Sequence, residues 1–250
     1  MGCEMNPADT LLYLSIILPV HNEEHRLPVT LQELEIFLSQ QNFSYEVIIV
    51  ENGSHDRSYE LAYEFCKDHP RFKVLREKER GKGLAVRTGM LNARGQYRMF
   101  CDVDFSMPVG EILRFLPPNN PNADIVIGSR EAPGAVRYDE PAYRHFIGRI
   151  FNTMVRFAVL PALQDSQCGF KLFTGACADD VFHKQTLTGM SFDVEVLFIA
   201  RRSGYRISEI PVPWYFNPDS RVRLLDDSLR MAVDLFVIRR NAARGIYGSG

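Results

Sequence analysis

The sequence predicts an α/β fold built on a mostly parallel sheet, and three observations carry that reading. Short apolar runs rich in Ile and Val are bounded by turn residues. Segments with leucines at helical spacing lie between them. The two patterns alternate through the first 130 residues, as expected for parallel strands joined by right-handed crossovers. The 250 residues suit one large domain with a substantial core, and 46% hydrophobic with 24% charged residues excludes bulk disorder, collagen and coiled coil.

The elements follow in order. Apolar runs at 14–20, 46–50, 73–75, 98–101 and 125–127 read as buried strands. Leu27, Leu31, Leu34 and Leu38 mark a first helix, Leu61, Ala62 and Phe65 a second, and Leu84, Thr88, Leu91 and Asn92 a third. After a loop carrying Pro133, Gly134 and Pro141, residues 143–160 form an amphipathic segment. Its apolar face holds Phe146, Ile147, Ile150, Phe151, Met154 and Ala158, with Arg144, Arg149 and Arg156 among them. A helix is expected from Phe192 to about Ser203, a strand over 206–212 and a final helix over 224–240. No repeat or linker marks a second domain.

Charge and cysteines bound the function. Lys and Arg total 29 against 31 acids, a net −2 that argues against a nucleic-acid partner. The distribution is uneven: residues 201–250 carry nine Arg and five acids, leaving the first 200 residues at −6. An arginine-rich end fits an anionic partner such as phosphate or a membrane surface, and it equally fits a solvated helix face. Cys3, Cys66, Cys101, Cys168 and Cys177 show no CxxC spacing, so they imply free thiols in a reducing compartment. No run reaches the roughly 18 apolar residues of a membrane span.

In such a sheet, ligands sit at the carboxyl ends of the strands. The first strand ends in Pro19-Val20-His21-Asn22-Glu23-Glu24, where proline breaks the strand and a polar cluster follows. The second ends in Glu51-Asn52-Gly53-Ser54-His55-Asp56, where a carboxylate can accept hydrogen bonds from the N–H edge of a base or simply cap the next helix. Arg80-Gly81-Lys82-Gly83 opens a helix with free N–H groups and a lysine, a plausible phosphate contact. Asp102-Val103-Asp104 ends the fourth strand, and a bend there lets two carboxylates approach one ion such as Mg²⁺. No glycine-rich redox fingerprint follows the first strand.

The ordered series of these motifs, followed by Gly128-Ser129-Arg130, resembles the family 2 glycosyltransferases. The resemblance extends through Asp165-Ser166-Gln167-Cys168-Gly169-Phe170-Lys171, Phe192-Asp193-Val194-Glu195 and Glu209-Ile210-Pro211-Val212-Pro213-Trp214. It is to the branch that contains the dolichyl-phosphate β-glucosyltransferases and runs from about Leu14 to Arg240.

That resemblance implies the GT-A fold, a Rossmann-like, mostly parallel sheet flanked by helices, with amphipathic helices toward the C-terminus. It implies one domain over 14–245, with a nucleotide-sugar half at 14–130 and an acceptor half at 131–245, between tails at 1–13 and 246–250. Pro19, His21, Glu23, Glu51, Lys82, Asp102 and Arg130 would bind the nucleotide-sugar. Asp104 would hold Mg²⁺ or Mn²⁺, and Asp104 and Asp165 would be the catalytic residues. The Asp165–Lys171 stretch would form an acceptor loop, with Gln167, Lys171, Arg221 and Arg223 on the acceptor. Only one of Asp193 and Glu195 would point into the site.

The implied reaction is inverting transfer of glucose from UDP-glucose to a polyprenyl phosphate; GDP-mannose as donor, or a saccharide hydroxyl as acceptor, is the alternative. A phosphate monoester is mostly dianionic at neutral pH and needs little help from a base, whereas a hydroxyl would require one. Two departures stand out. Where the family usually has Asp-Asp-Gly-Ser, this chain has Glu51-Asn52-Gly53-Ser54, and no run in these 250 residues reads as the N-terminal membrane span usual in the glucosyl branch, as expected of either a truncated chain or a peripheral one. The implied location is cytoplasmic, peripheral at the cytoplasmic face of a membrane.

Overall fold

The computed structural model describes residues 12–120, 122–218 and 224–248. Six strands and three helices expected from the pattern are present: β1 (Leu14–Val20), α1 (Leu27–Ser39), β2 (Tyr45–Asn52), α2 (Ser58–Asp68), β3 (Phe72–Glu77), α3 (Lys82–Asn92), β4 (Tyr97–Cys101), β5 (Ile125–Ser129) and a strand at Ile207–Pro211. β1 does not break at its proline. Pro19 lies opposite Val50, while the ladder to β4 has already ended at Ile17, so no hydrogen bond is lost.

The second half holds the helices that the pattern predicts over 143–160, 192–203 and 224–240, together with elements that it did not reveal. A short helix α4 (Ile112–Phe115) precedes β5, and β6 (Val136–Tyr138) leads into α5 (Ala142–Ala158). Then come β7 (Phe170–Thr174), α6 (Gly175–Lys184), α7 (Phe192–Arg202), β8 (Ile207–Pro211), β9 (Pro213–Tyr215) and α8 (Leu224–Ala243). Seven strands form one sheet in the order β3-β2-β1-β4-β7-β5-β8, and β6 pairs with β9 in a separate ribbon. β7 runs antiparallel to both β4 and β5, so those two remain parallel to each other. Strands from both sides of residue 130 therefore share one sheet.

β7 corrects the expected acceptor loop. Phe170 and Lys171 are strand residues, with Cys101 opposite Phe170 and Phe100 opposite Lys171, so only 165–169 remains a loop. The strand was hidden because lysine interrupts its apolar alternation. The 246–250 tail is also shorter than expected: Tyr247 is buried and its hydroxyl donates to Glu195 at 2.7 Å.

Two apolar layers cover the sheet. One face packs under α1 and α2 through Leu27, Leu31, Leu34, Leu38 and Ala62 against Ile16, Leu18, Val47 and Ile49. The other packs under α3, α6 and α7 through Met90, Val181, Phe182, Phe192 and Val196, and includes Ile17, Ile48, Phe100 and Phe173. Phe173 is fully buried, stacked 6.3 Å from Phe100 and edge-on to Phe182 at 5.2 Å. Replacing Phe173 with Ala is expected to cost about 3–5 kcal/mol in urea unfolding, because the surrounding rings cannot collapse into the space.

Candidate active site

The carboxyl ends of β1, β2, β4 and β5 lie on one edge of the sheet, and β7 begins there. That edge gathers the expected site residues from segments far apart in sequence. At the β2 end, Glu51 is fully buried; its carboxylate accepts from the Ser54 N–H and, at 3.1 Å, from Arg76 Nε. Its side chain thus closes the 51–54 turn, where Gly53 takes φ +65°, a left-handed conformation suited to glycine. His21 Nδ1–H donates to the Asn52 carbonyl at 2.8 Å, and Glu23 forms a two-point ion pair with Arg26 at 2.8 and 3.1 Å.

Asn52 has a role that sequence reasoning missed. Its side-chain amide donates to the Gly81 carbonyl at 2.8 Å and accepts from the Gly81 N–H at 2.7 Å. A carboxylate can make only the second of these bonds. The departure from the family's acid therefore pins the backbone beside Lys82. On the other side, a Cβ on Gly81 would stand 2.5 Å from the Thr188 carbonyl oxygen, so this loop is held between two walls.

Lys82 points at the β4 end, with Nζ 2.5 Å from Asp102 Oδ1. Burial opposes its charge, but Asp102, Asp193 and Asp104 together raise its proton affinity, so it stays an ammonium. Asp104 is pushed toward its neutral form: burial, then the neighbouring Asp102 charge, raise its pKa above the ordinary value. A carboxyl pair with one lysine is short of positive charge. Among the described residues no group of three or more metal-ligating side chains occurs. Asp102 and Asp104 nevertheless offer the one or two hard oxygen donors from which Mg²⁺ or Mn²⁺ is typically held together with phosphate oxygens.

Asp165 and Arg130 form the second buried centre. Asp165 is fully buried and takes a two-point ion pair from Arg130, Nε at 2.7 Å and Nη2 at 2.9 Å, plus the Arg130 N–H at 3.0 Å. The Gln167 N–H adds a further bond at 3.1 Å. Burial alone would raise the Asp165 pKa; the Arg130 guanidinium outweighs it and holds the carboxyl well below the usual range. Such a carboxylate makes a poor proton acceptor and a firm anchor. Glu209, a charged residue in the otherwise apolar 206–212 run, accepts from the Gln164 and Asp165 N–H groups at 2.8 and 2.9 Å. Trp214 lies under Arg130, ring centroid 5.5 Å from the guanidinium carbon, and under Arg137 at 5.9 Å.

The two centres meet at Gly169. A Cβ there would fall 2.0 Å from Asp102 Oδ2, so the loop backbone packs directly on the carboxylate. Lys171, expected on the acceptor, is instead fully buried and ion-paired with Asp193 at 2.6 Å. Asp193 thus faces the site, whereas Glu195 faces away and accepts from Leu187 N–H and Tyr247 O–H, both at 2.7 Å. Arg221 and Arg223 lie outside the described residues.

Residues 15–182 match the family described as glycosyl transferase family 2. A dolichyl-phosphate beta-glucosyltransferase of Drosophila melanogaster is 37% identical over 245 residues, covering 91% of this chain and 74% of its own. This chain belongs to glycosyltransferase family 2. A second relative, the dolichyl-phosphate beta-glucosyltransferase of Dictyostelium discoideum, is 34% identical, covering 97% of this chain and 78% of its own. Among solved structures, glucosyl-3-phosphoglycerate synthase of Mycobacterium tuberculosis, in complex with Mn²⁺, UDP-glucose and phosphoglyceric acid, superposes with a TM-score of 0.67. That match covers 96% of this chain and 81% of the synthase at 14% identity, and it establishes the GT-A fold.

Two tests follow for this family 2 glycosyltransferase. Gly169→Ala should displace the Asp102 carboxylate and lower turnover by about 10²-fold, the scale of a 1 Å misplacement, as read by steady-state kinetics. Arg130→Met leaves Asp165 buried without its cationic partner, at a cost of about 3–5 kcal/mol near pH 7. In the parent protein the depressed pKa makes the pair's contribution complete above about pH 4 and lost only below it. In the variant Asp165 takes up a proton more readily, so the deficit should narrow as pH falls from 7 to 4 in denaturant titrations.

Proposed function

We propose that the protein transfers glucose from UDP-glucose to a polyprenyl phosphate of the dolichyl type, with inversion, at a site that uses Mg²⁺ or Mn²⁺. The observation that carries this reading is the Arg130–Asp165 clamp at the acceptor side. The residue best placed by sequence to act as a base is committed as the ionised partner of an arginine. A phosphate acceptor suits that arrangement, because its oxygen is already a nucleophile at neutral pH. A sugar hydroxyl does not, because its proton needs a receiver. The relatives described above are named for glucosyl transfer to dolichyl phosphate, which supports the sugar and the acceptor of this reading.

In this reading the donor lies across the carboxyl edge. Pro19, His21, Glu23 and Glu51 shape the nucleotide end, and Lys82 neutralises the diphosphate. Asp102 and Asp104 would hold the divalent ion. When bound, that ion supplies positive charge to the departing nucleoside diphosphate. The acceptor phosphate enters beside the 165–169 loop, with Arg130 and Gln167 as its nearest partners. Its oxygen attacks the anomeric carbon as the bond to the diphosphate breaks, and the departing UDP takes the electron pair. Asp165 holds Arg130 and the loop in place during this step.

The apolar surface of α5 fits a lipid substrate. Tyr143, Phe146, Ile150, Met154 and Phe157 form one exposed stripe, Phe157 being 87% exposed, while Phe151 and Val155 face the core. Val233 and Phe236 on α8 are also exposed, and arginines lie along both helices, Arg144, Arg149 and Arg156 on α5 and Arg230, Arg239 and Arg240 on α8. Among the described residues no helix is long and apolar enough to cross a membrane. We take α5 and α8 as a peripheral contact with the cytoplasmic face of a membrane, seated by apolar insertion and arginine–lipid attraction.

A transfer assay in detergent with Mg²⁺ or Mn²⁺ tests this. UDP-glucose should release UDP only when polyprenyl phosphate is present, and Asp104→Asn should reduce that release by at least about 10²-fold. Release of GDP from GDP-mannose instead would overturn the donor, and transfer to a saccharide alone would overturn the acceptor.

A further inference from the structure

Lys171 and Asp193 form a buried ion pair with no part in the reading above. Lys171 Nζ donates to Asp193 Oδ1 and to the Cys168 carbonyl, both at 2.6 Å, and stands 5.2 Å from the centre of the Phe100 ring. Lys171 is fully buried and Asp193 2% exposed. Apolar residues of similar volume often serve stability as well or better than a buried pair, so stability alone is a weak account of it. Its surroundings suggest another. Asp193 feels Lys82 as well as Lys171, and Lys82 feels Asp102 and Asp193 together. Charges thus alternate from Lys171 through Asp193 and Lys82 to Asp102, joining β7, α7, α3 and the end of β4. One end of this row holds the 165–169 loop at Cys168; the other is Asp102, reached through Lys82.

We propose that the Lys171–Asp193 pair is a positioning device for the transfer reaction. Lys171 fixes the Cys168 carbonyl and so the 165–169 loop. By neutralising Asp193 it also leaves Lys82 directed at Asp102 and the donor diphosphate. Without Lys171, Asp193 would draw Lys82 toward itself. The inference rests on the nucleoside-diphosphate donor of the proposed function, while its binding arm does not depend on which acceptor is used.

The test compares Lys171→Met, Asp193→Asn and the double variant by calorimetry of UDP binding with Mn²⁺, beside kinetics with polyprenyl phosphate. Lys171→Met should weaken UDP binding by about tenfold or more, since the remaining buried carboxylate captures Lys82. The double variant should recover UDP affinity to within about threefold of the parent protein, yet keep a raised acceptor KM, because Cys168 has lost its donor. Asp193→Asn, which keeps the lysine, should leave UDP affinity nearly unchanged and raise the acceptor KM. A role confined to stability predicts shifted melting temperatures with unaltered UDP affinity in all folded variants, and that result overturns the proposal. So does a double variant that binds UDP no better than Lys171→Met. If the wild type binds UDP but shows no lipid-dependent turnover, the acceptor assignment fails while the calorimetric comparison still decides this inference.

Discussion

Burying charge in a protein costs several kcal/mol per ion unless each charge meets its opposite, and this constraint organises the carboxyl edge of the sheet. Asp165 is buried only because Arg130 grips it at two points, and Lys171 only because Asp193 and the Cys168 carbonyl receive it. Asp102 has Lys82. Asp104 forms no ion pair among the described residues: it accepts from the Ser106 N–H, and burial together with the neighbouring Asp102 charge raises its proton affinity against the pull of Lys82. The pairing leaves an excess of negative charge at one place, which a divalent cation would offset while presenting positive charge to diphosphate oxygens.

The antiparallel strand β7 makes this arrangement possible. A parallel strand in this position would enter from the opposite edge, whereas the antiparallel β7 enters between β4 and β5 from the active edge and carries its preceding loop across the carboxyl ends. That loop touches Asp102 at Gly169 and Arg130 at Asp165. The Asp102 centre and the Arg130–Asp165 centre are thus joined by five residues of chain. The β6–β9 ribbon adds Trp214 beneath Arg130, which restrains the guanidinium from the side that Asp165 leaves open.

Much of the first half was legible in the sequence because buried parallel strands are continuous apolar runs, and helices on such a sheet show leucines at their inner positions. The strand ends were legible for the same reason: polar residues after an apolar run can only be at the edge. β7 was not, since Lys171 in its middle reads as a loop residue until a buried carboxylate is found for it. The acceptor contact that the resemblance implies for Lys171 gives way to its buried ion pair with Asp193. Asn52 looked like a lost charge in sequence, and its purpose depends on Gly81, 29 residues away. Partners brought together only by the fold leave no local pattern, and Glu209 with its backbone donors is another such case.

The central claim is that the acceptor phosphate binds beside the divalent ion and the nucleotide at this edge. The most direct measurement is ³¹P relaxation of a polyprenyl phosphate in detergent with the protein, UDP and Mn²⁺. The account predicts strong paramagnetic broadening of the acceptor signal that requires UDP and disappears in Asp104→Asn. An acceptor signal left sharp while the UDP signals broaden would place the two substrates apart and contradict it.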